Sequence, residues 1–229
     1  MRNTKRGARD GRKLVRTGAL VLVLLLLAFC YTPPGRAMWT ELRRACGLLP
    51  FAQSLPDADL TVYVIDVGKA DAILIETPEG AVLSDCATAE QVKTVLRVLK
   101  QRNIQKLRAV WISHADSDHV GGLTQILREV PAEEVVTSMY TELTGLQEDQ
   151  TVRTVSAGET VSYGEAEFRV LAPLEDLEST NENSLVYKLC CKEFSMLFCG
   201  DIEEKAERLL LDIYGDCLLY TSDAADDTP

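Results

Sequence analysis

Histidine is almost missing from this 229-residue chain, which has only His114 and His119. Any chemistry that needs imidazole is therefore confined to one short segment of this sequence. Cysteine occurs seven times but never at zinc-ribbon spacing. Cys30 falls in an apolar run, and Cys190, Cys191 and Cys199 lie in strand-like segments where cysteine serves as a small hydrophobe, so no disulfide framework is expected. Simple repeats and low-complexity segments are also lacking. What remains is 46% hydrophobic and 26% charged residues, the balance of a globular domain, in a chain long enough for one full core.

Positive charge is scarce outside the first sixteen residues. The formal charge is -11, yet "MRNTKRGARDGRKLVR" is net +6, which leaves -17 for everything after it. This basic arm runs into "TGALVLVLLLLAFCY", an uncharged stretch at 17–31. Basic then apolar is the pattern of an export signal, although the run is shorter than the ~20 residues of a comfortable membrane span. No clean small-x-small cleavage site precedes Thr32, and Phe29 beside Cys30 argues against a lipoprotein box. Residues 1–36 are therefore expected to form an uncleaved signal anchor, with a cleaved, secreted form as the second reading. The basic flank would stay cytoplasmic and the acidic remainder would face outside.

Residues 37–57 read as a connector with a short amphipathic helix at Thr40–Leu49, and residues 58–216 as the folded domain. "LTVYVIDVG", "DAILIET" and "AVLSD" are β-rich runs separated by turn residues. Residues 88–102 place Val92, Val95, Leu96 and Leu99 at helical spacing. "KLRAVWIS" returns to strand, and "GGLTQILREV" predicts a helix after the glycines. A second β-rich half is expected from "EEVVTS", "EFRVLAP", "SLVYKLCC" and "FSMLFCG", with "EEKAERLLLDIY" as a helix. This order predicts a layered α/β sandwich. Residues 217–229 have no periodicity, and "CLLYTSDAADD" matches the translation of a transposase-type sequencing adapter. That stretch is expected to be non-native, and the natural protein to continue beyond Asp216.

Between strand and helix stands "WISHADSDHVGG", residues 111–122, with His114, Asp116, Asp118 and His119 in six positions. Imidazole nitrogen and carboxylate oxygen both bind divalent transition metals, and the carboxyl end of a strand is where an α/β layer presents functional groups. The competing reading is solvated loop acids beside ordinary histidines. Four potential ligands in six positions weigh against it. Asp201 in "CGD" is either a further ligand or the N-cap of the helix after it. Asp85 is either a group that orients a ligand or a polar strand terminus.

At these residues the sequence resembles the metallo-β-lactamase superfamily, whose signature is H-x-H-x-D-H. More narrowly, it is similar to the soluble domain of ComEC-type competence proteins, in which aspartate replaces the second histidine, as at Asp116. "VIDVGKADAILIETPEGAVLSDC", "NENSLVYKL" and "MLFCGDIEEKAERLLL" are similar to further family segments in the right order, across about residues 60–215. Asp71 matches a family aspartate, whereas Lys69 and Ala70 depart from the usual Gln-Gly.

The resemblance implies a four-layer αβ/βα sandwich, incomplete at its C-terminal side, and two divalent metal ions, Zn or Mn. His114 and Asp116 would serve one ion, Asp118 and His119 the other, and Asp201 would bridge them. Asp85 would orient a ligand and Asp118 would also act catalytically. The implied function is a metal-dependent phosphodiesterase or nuclease acting on single-stranded DNA during uptake. The alternatives are hydrolysis of a cell-wall or small-molecule ester, and a non-catalytic module that binds metal or DNA. The family's later histidines have no counterpart here, so this chain alone is expected to be inactive. Arg97, Lys100, Arg102, Lys106 and Arg108 form the densest basic cluster after the leader, and a solvated helix and turn is the simpler account of it.

Overall fold

The computed structural model describes residues 58–218, together with Phe29, Thr32 and Met38. The apolar leader, the Thr40–Leu49 helix and the tail beyond Leu218 lie outside the described residues. Among the described residues no helix is long and apolar enough to cross a membrane. The chain divides into units Met1–Phe51 and Ala52–Pro229, and the second carries the elements below.

A six-stranded sheet begins with an antiparallel meander of β1 (Thr61–Val64), β2 (Ile73–Thr77) and β3 (Gly80–Ser84). It continues in parallel through β4 (Leu107–Trp111), β5 (Ala132–Ser138) and β6 (Val152–Val155). Parallel neighbours need crossovers, and helices supply two of them. α1 (Val92–Gln101) links β3 to β4, while α2 (Ser117–Val120) and α3 (Leu123–Glu129) link β4 to β5. Strands covered on both faces read as unbroken apolar runs, which is the pattern of "AVLS" and "AVW". Leu74, Leu83 and Val110 pack against Val95, Leu99, Leu123 and Ile126 of the helices. Their neighbours Ile75, Val82, Ala109 and Trp111 point to the opposite face.

That opposite face meets a four-stranded antiparallel sheet ordered β10-β9-β8-β7. Its strands are β7 (Thr160–Tyr163), β8 (Ala166–Ala172), β9 (Val186–Cys191) and β10 (Phe194–Phe198). Trp111 joins the seam, with ring centroids 4.8 Å from Phe168 and 4.7 Å from Tyr187. Tyr187 in turn stacks on Phe198 at 4.6 Å. Burying each such apolar side chain contributes about 1.5–3 kcal/mol, so this seam holds the sheets in a fixed relation. The outer face of the second sheet, through Ala172, Val186 and Leu197, is covered by Leu210 and Tyr214 of α4 (Glu204–Tyr214). Helices, sheet, sheet and helix make the expected four-layer αβ/βα sandwich.

Three local expectations need correction. "EEVVTS" belongs to the first sheet as β5, because the α3 crossover returns the chain parallel to β4. Strands β6 and β7 were not anticipated, being four residues each and largely polar on one side. The helix expected after Gly122 is preceded by one helical turn, α2, which starts inside the motif at Ser117. Cys86, Cys190, Cys191 and Cys199 are free thiols.

Candidate metal centre

The carboxyl ends of β3 and β4 lie side by side and point the same way, and both end in functional groups. β3 runs out at Ser84 into Asp85, Cys86 and Ala87, where Asp85 and Ala87 hold φ of 57° and 59°. Aspartate tolerates this left-handed conformation, whereas for alanine it is strained. Hydrogen bonds from three directions hold the corner. Asp85 N–H donates to the Trp111 carbonyl at 2.8 Å, Cys86 N–H to that of His119 at 2.7 Å, and Ala87 N–H to that of Asp71 at 2.8 Å. Gly122 N–H returns a bond to the Ala87 carbonyl, and a Cβ on Gly122 would fall 2.2 Å from the Cys86 carbonyl oxygen. The Gly-Gly pair is thus what lets the motif close onto the β3 corner.

Asp85 is buried and serves three donors. Its Oδ1 accepts from Ser113 N–H at 2.8 Å, and its Oδ2 accepts from the Ser113 hydroxyl at 2.8 Å. The same Oδ2 lies 2.9 Å from His119 Nδ1. Its carboxylate thus ties the His119 ring to Ser113. On the far side of that ring, Nε2 lies 3.3 Å from Asp201 Oδ1. The His114 ring sits 4.1 Å from that of His119, with Nδ1 3.0 Å from the Ser113 hydroxyl.

The other half of the centre comes from the second sheet. Asp201 follows β10 at a corner where Gly200 has φ +55°, and a Cβ there would stand 2.9 Å from Ser184 Cβ and 3.0 Å from Ser113 Cβ. Ser184, in the "NENSLV" segment, accepts a bond from Asp201 N–H, and Leu185 N–H donates to the Ser113 carbonyl at 2.7 Å. Asp201 is not the cap of α4, whose N-cap residue is Glu203. The helix start is served by the buried Glu182 carboxylate, which accepts from the N–H groups of Glu203, Lys205 and Ala206 at 3.3, 3.2 and 2.8 Å. Burial would raise its carboxyl, but those bonds and the charge of Lys205 prevail and hold it below the usual range. Asp201 is thereby left free to face the histidines.

The sequence-predicted residues do not all converge equally. His114, His119 and Asp201 each offer one ligand atom, and all of these lie within 4.8 Å of one another. Asp71, Asp85 and His119 form a second such group. Neither Asp116 nor Asp118 completes a cluster of this kind among the described residues. Asp116 is exposed, with Oδ2 3.8 Å from His114 Nε2. Asp118 is half-buried, and burial together with the charges of Asp85, Asp201 and Asp118 raises the Asp71 carboxyl against the opposing pull of His119. Its carbonyl also accepts from Asp71 N–H at 3.2 Å.

The two rings titrate in opposite directions. Burial and the neighbouring His119 depress His114. Burial also opposes charging His119, but its bond to Asp85 and the charges of Asp85, Asp201 and Asp71 prevail and raise it to about 9.

A family model, that of the metallo-β-lactamase superfamily, matches residues 65–228. The chain belongs to this superfamily. It is 26% identical over 211 residues, 86% of its length, to Competence protein ComA of Neisseria gonorrhoeae. It is 24% identical over 186 residues, 67% of its length, to ComE operon protein 3 of Bacillus subtilis (strain 168). These matches take in 29% and 23% of the relatives, so the chain spans less than a third of the curated relatives it matches. Among solved structures, the MIM-2 metallo-β-lactamase superposes with a TM-score of 0.50 at 19% identity, over 64% of this chain and 66% of that one. That likeness speaks to the fold alone.

The metallo-β-lactamase fold implies a metal-dependent hydrolase and uses divalent ions, typically zinc, and competence proteins are among the chain's relatives. The residues fit such an ion. His114 Nε2 is buried and has no hydrogen-bond partner, a costly state for a polar atom unless a ligand completes it. It belongs to the ring that clusters with His119 and Asp201.

Proposed function

We propose that this chain is the hydrolytic portion of a membrane-anchored, externally facing protein that cleaves phosphodiester bonds of single-stranded DNA during uptake. The observation that carries the hydrolytic part is the unpartnered, buried His114 Nε2 in the group formed with His119 and Asp201. The DNA substrate is supported by the competence proteins among its relatives. The anchor and its outward topology rest on the charge and hydropathy of residues 1–31.

Two divalent ions are proposed, one on His114 and Asp116 and one on Asp118 and His119, with Asp201 between them. Such ions supply Lewis acidity and lower the pKa of a water. The chain's own part is to hold the histidine rings through Asp85 and Ser113, and to keep Asp118 within reach of the reacting water as the catalytic carboxylate. Replacing an imidazole by Asp116 makes the set richer in oxygen, which favours Mn²⁺ over Zn²⁺ relative to a histidine at that position.

A single-stranded oligonucleotide incubated with Mn²⁺ or Zn²⁺ tests the proposal, on this chain and on any longer product of its gene. Cleavage that disappears in Asp118→Ala while DNA binding persists is the expected result. No turnover with either metal on the longest product sinks the nuclease reading.

One observation favours another substrate on the same fold, a cell-wall phosphodiester or small ester. The basic cluster offers little to a polyanion. Arg102 bonds Glu76 through Nε at 3.0 Å and lies over the Tyr63 ring, while Lys106 and Arg108 pair with Glu133 at 3.0 and 2.6 Å.

A further inference from the structure

We propose that the Ser113 hydroxyl is a positioning group that keeps the proton of His114 on Nδ1, as the Asp85 carboxylate does for His119, so that Nε2 of His114 presents a lone pair to the metal. The inference deepens the metal-site reading above and rests on it.

The argument is a count of protons. An ionised carboxylate only accepts, so at 2.8 Å from Asp85 Oδ2 the single hydroxyl proton of Ser113 is committed to Asp85. The hydroxyl then has only lone pairs for its neighbours. His114 Nδ1, 3.0 Å away, can form a hydrogen bond there only by donating. A neutral imidazole with its proton on Nδ1 carries a lone pair on Nε2. The opposite tautomer would set two lone pairs against each other at Ser113. It would also put an N–H on Nε2, where the carboxylate oxygen of Asp116 at 3.8 Å lies beyond hydrogen-bond range.

Ser113 is well held for this task. It is 5% exposed, its N–H binds Asp85 Oδ1 at 2.8 Å, and its carbonyl accepts from Leu185 N–H at 2.7 Å. His119 Nδ1 is also 3.2 Å from the same hydroxyl. Both Nδ1 atoms therefore converge on one oxygen. His119 has the Asp85 carboxylate as a second partner at Nδ1, whereas the hydroxyl is what serves His114 there.

With two histidines in the chain, selective ¹⁵N labelling gives a spectrum of only two rings. It is recorded without metal, at a pH raised until the shifts stop moving. The wild type should show His114 protonated on Nδ1 and bare at Nε2. In Ser113→Ala the proton should move to Nε2, and Zn²⁺ affinity measured by competition should fall about ten- to a hundredfold. Ser113→Thr, which keeps the hydroxyl, should restore both.

A wild-type His114 protonated on Nε2 overturns the proposal. So does a Ser113→Ala protein with the wild-type tautomer and Zn²⁺ affinity within about twofold of it. If Ser113→Ala does not fold, the wild-type spectrum decides alone. Zn²⁺ binding with the wrong tautomer sinks the role of Ser113 and leaves the metal site standing. The right tautomer with no Zn²⁺ binding sinks the metal site instead.

Discussion

The first-sheet side of the centre and the second-sheet side are built differently. Asp85, Ser113, His114 and His119 are each at most 5% exposed and share one continuous hydrogen-bond network. On the second-sheet side the contributor is Asp201, with 42% of its side chain exposed and its backbone held by Ser184. Buried polar networks are stable only when every member is satisfied, and the one atom left over on the buried side is His114 Nε2. The buried side thus leaves one fixed polar atom to be served, and the exposed side adds a carboxylate open to solvent.

Removing a carboxylate from each side tests that difference most strongly. Asp85→Ala strands two donors of Ser113 and the His119 ring in a buried place, and should cost about 3–5 kcal/mol in urea unfolding. Asp201→Ala should cost less than about 1 kcal/mol, being partly exposed. Equal losses would erase the distinction.

A pH series separates the two histidines on the buried side. His119, raised from 6.5 to about 9, contributes stability that is fully present below pH 6.5 and lost as the pH rises through about 9. The loss in the metal-free chain should reach about 3 kcal/mol, and His119→Gln should flatten it. His114, lowered from 6.5, has the opposite sign, and its effect appears only on acidification below that value.

A smaller effect than at Asp85 is expected at the corner behind Asp201. Glu182→Gln removes the anionic acceptor of three N–H groups at the start of α4, and should lower stability by about 1–3 kcal/mol. An unchanged urea midpoint would mean that Glu182 does not hold that corner.

Much of this was legible in the sequence because the signals were local. The apolar runs of β2, β3 and β4 and the spacing of Val92, Val95 and Leu99 stood out, and so did the ligand-rich stretch 114–119. Ser113 did not, since a serine between Ile112 and His114 looks like filler until both rings turn toward it. Glu182 was hidden for another reason, because the N–H groups it serves lie 21 to 24 residues away. Asp201 could be read as cap or ligand, and only the position of Glu203 at the helix start decided against the cap. β7 was missed although Val161 and Tyr163 alternate with exposed Thr160 and Ser162, because four residues give too short a period to stand out.

The close approach of Gly200 to Ser113 and Ser184 also bears on how this sequence can drift. Three positions separated by many residues share one small volume, in which a Cβ at position 200 is too much. Random mutagenesis selected for folding should return a larger residue at 200 only with glycine at both 113 and 184, so the two sheets are bound to a common history at this point.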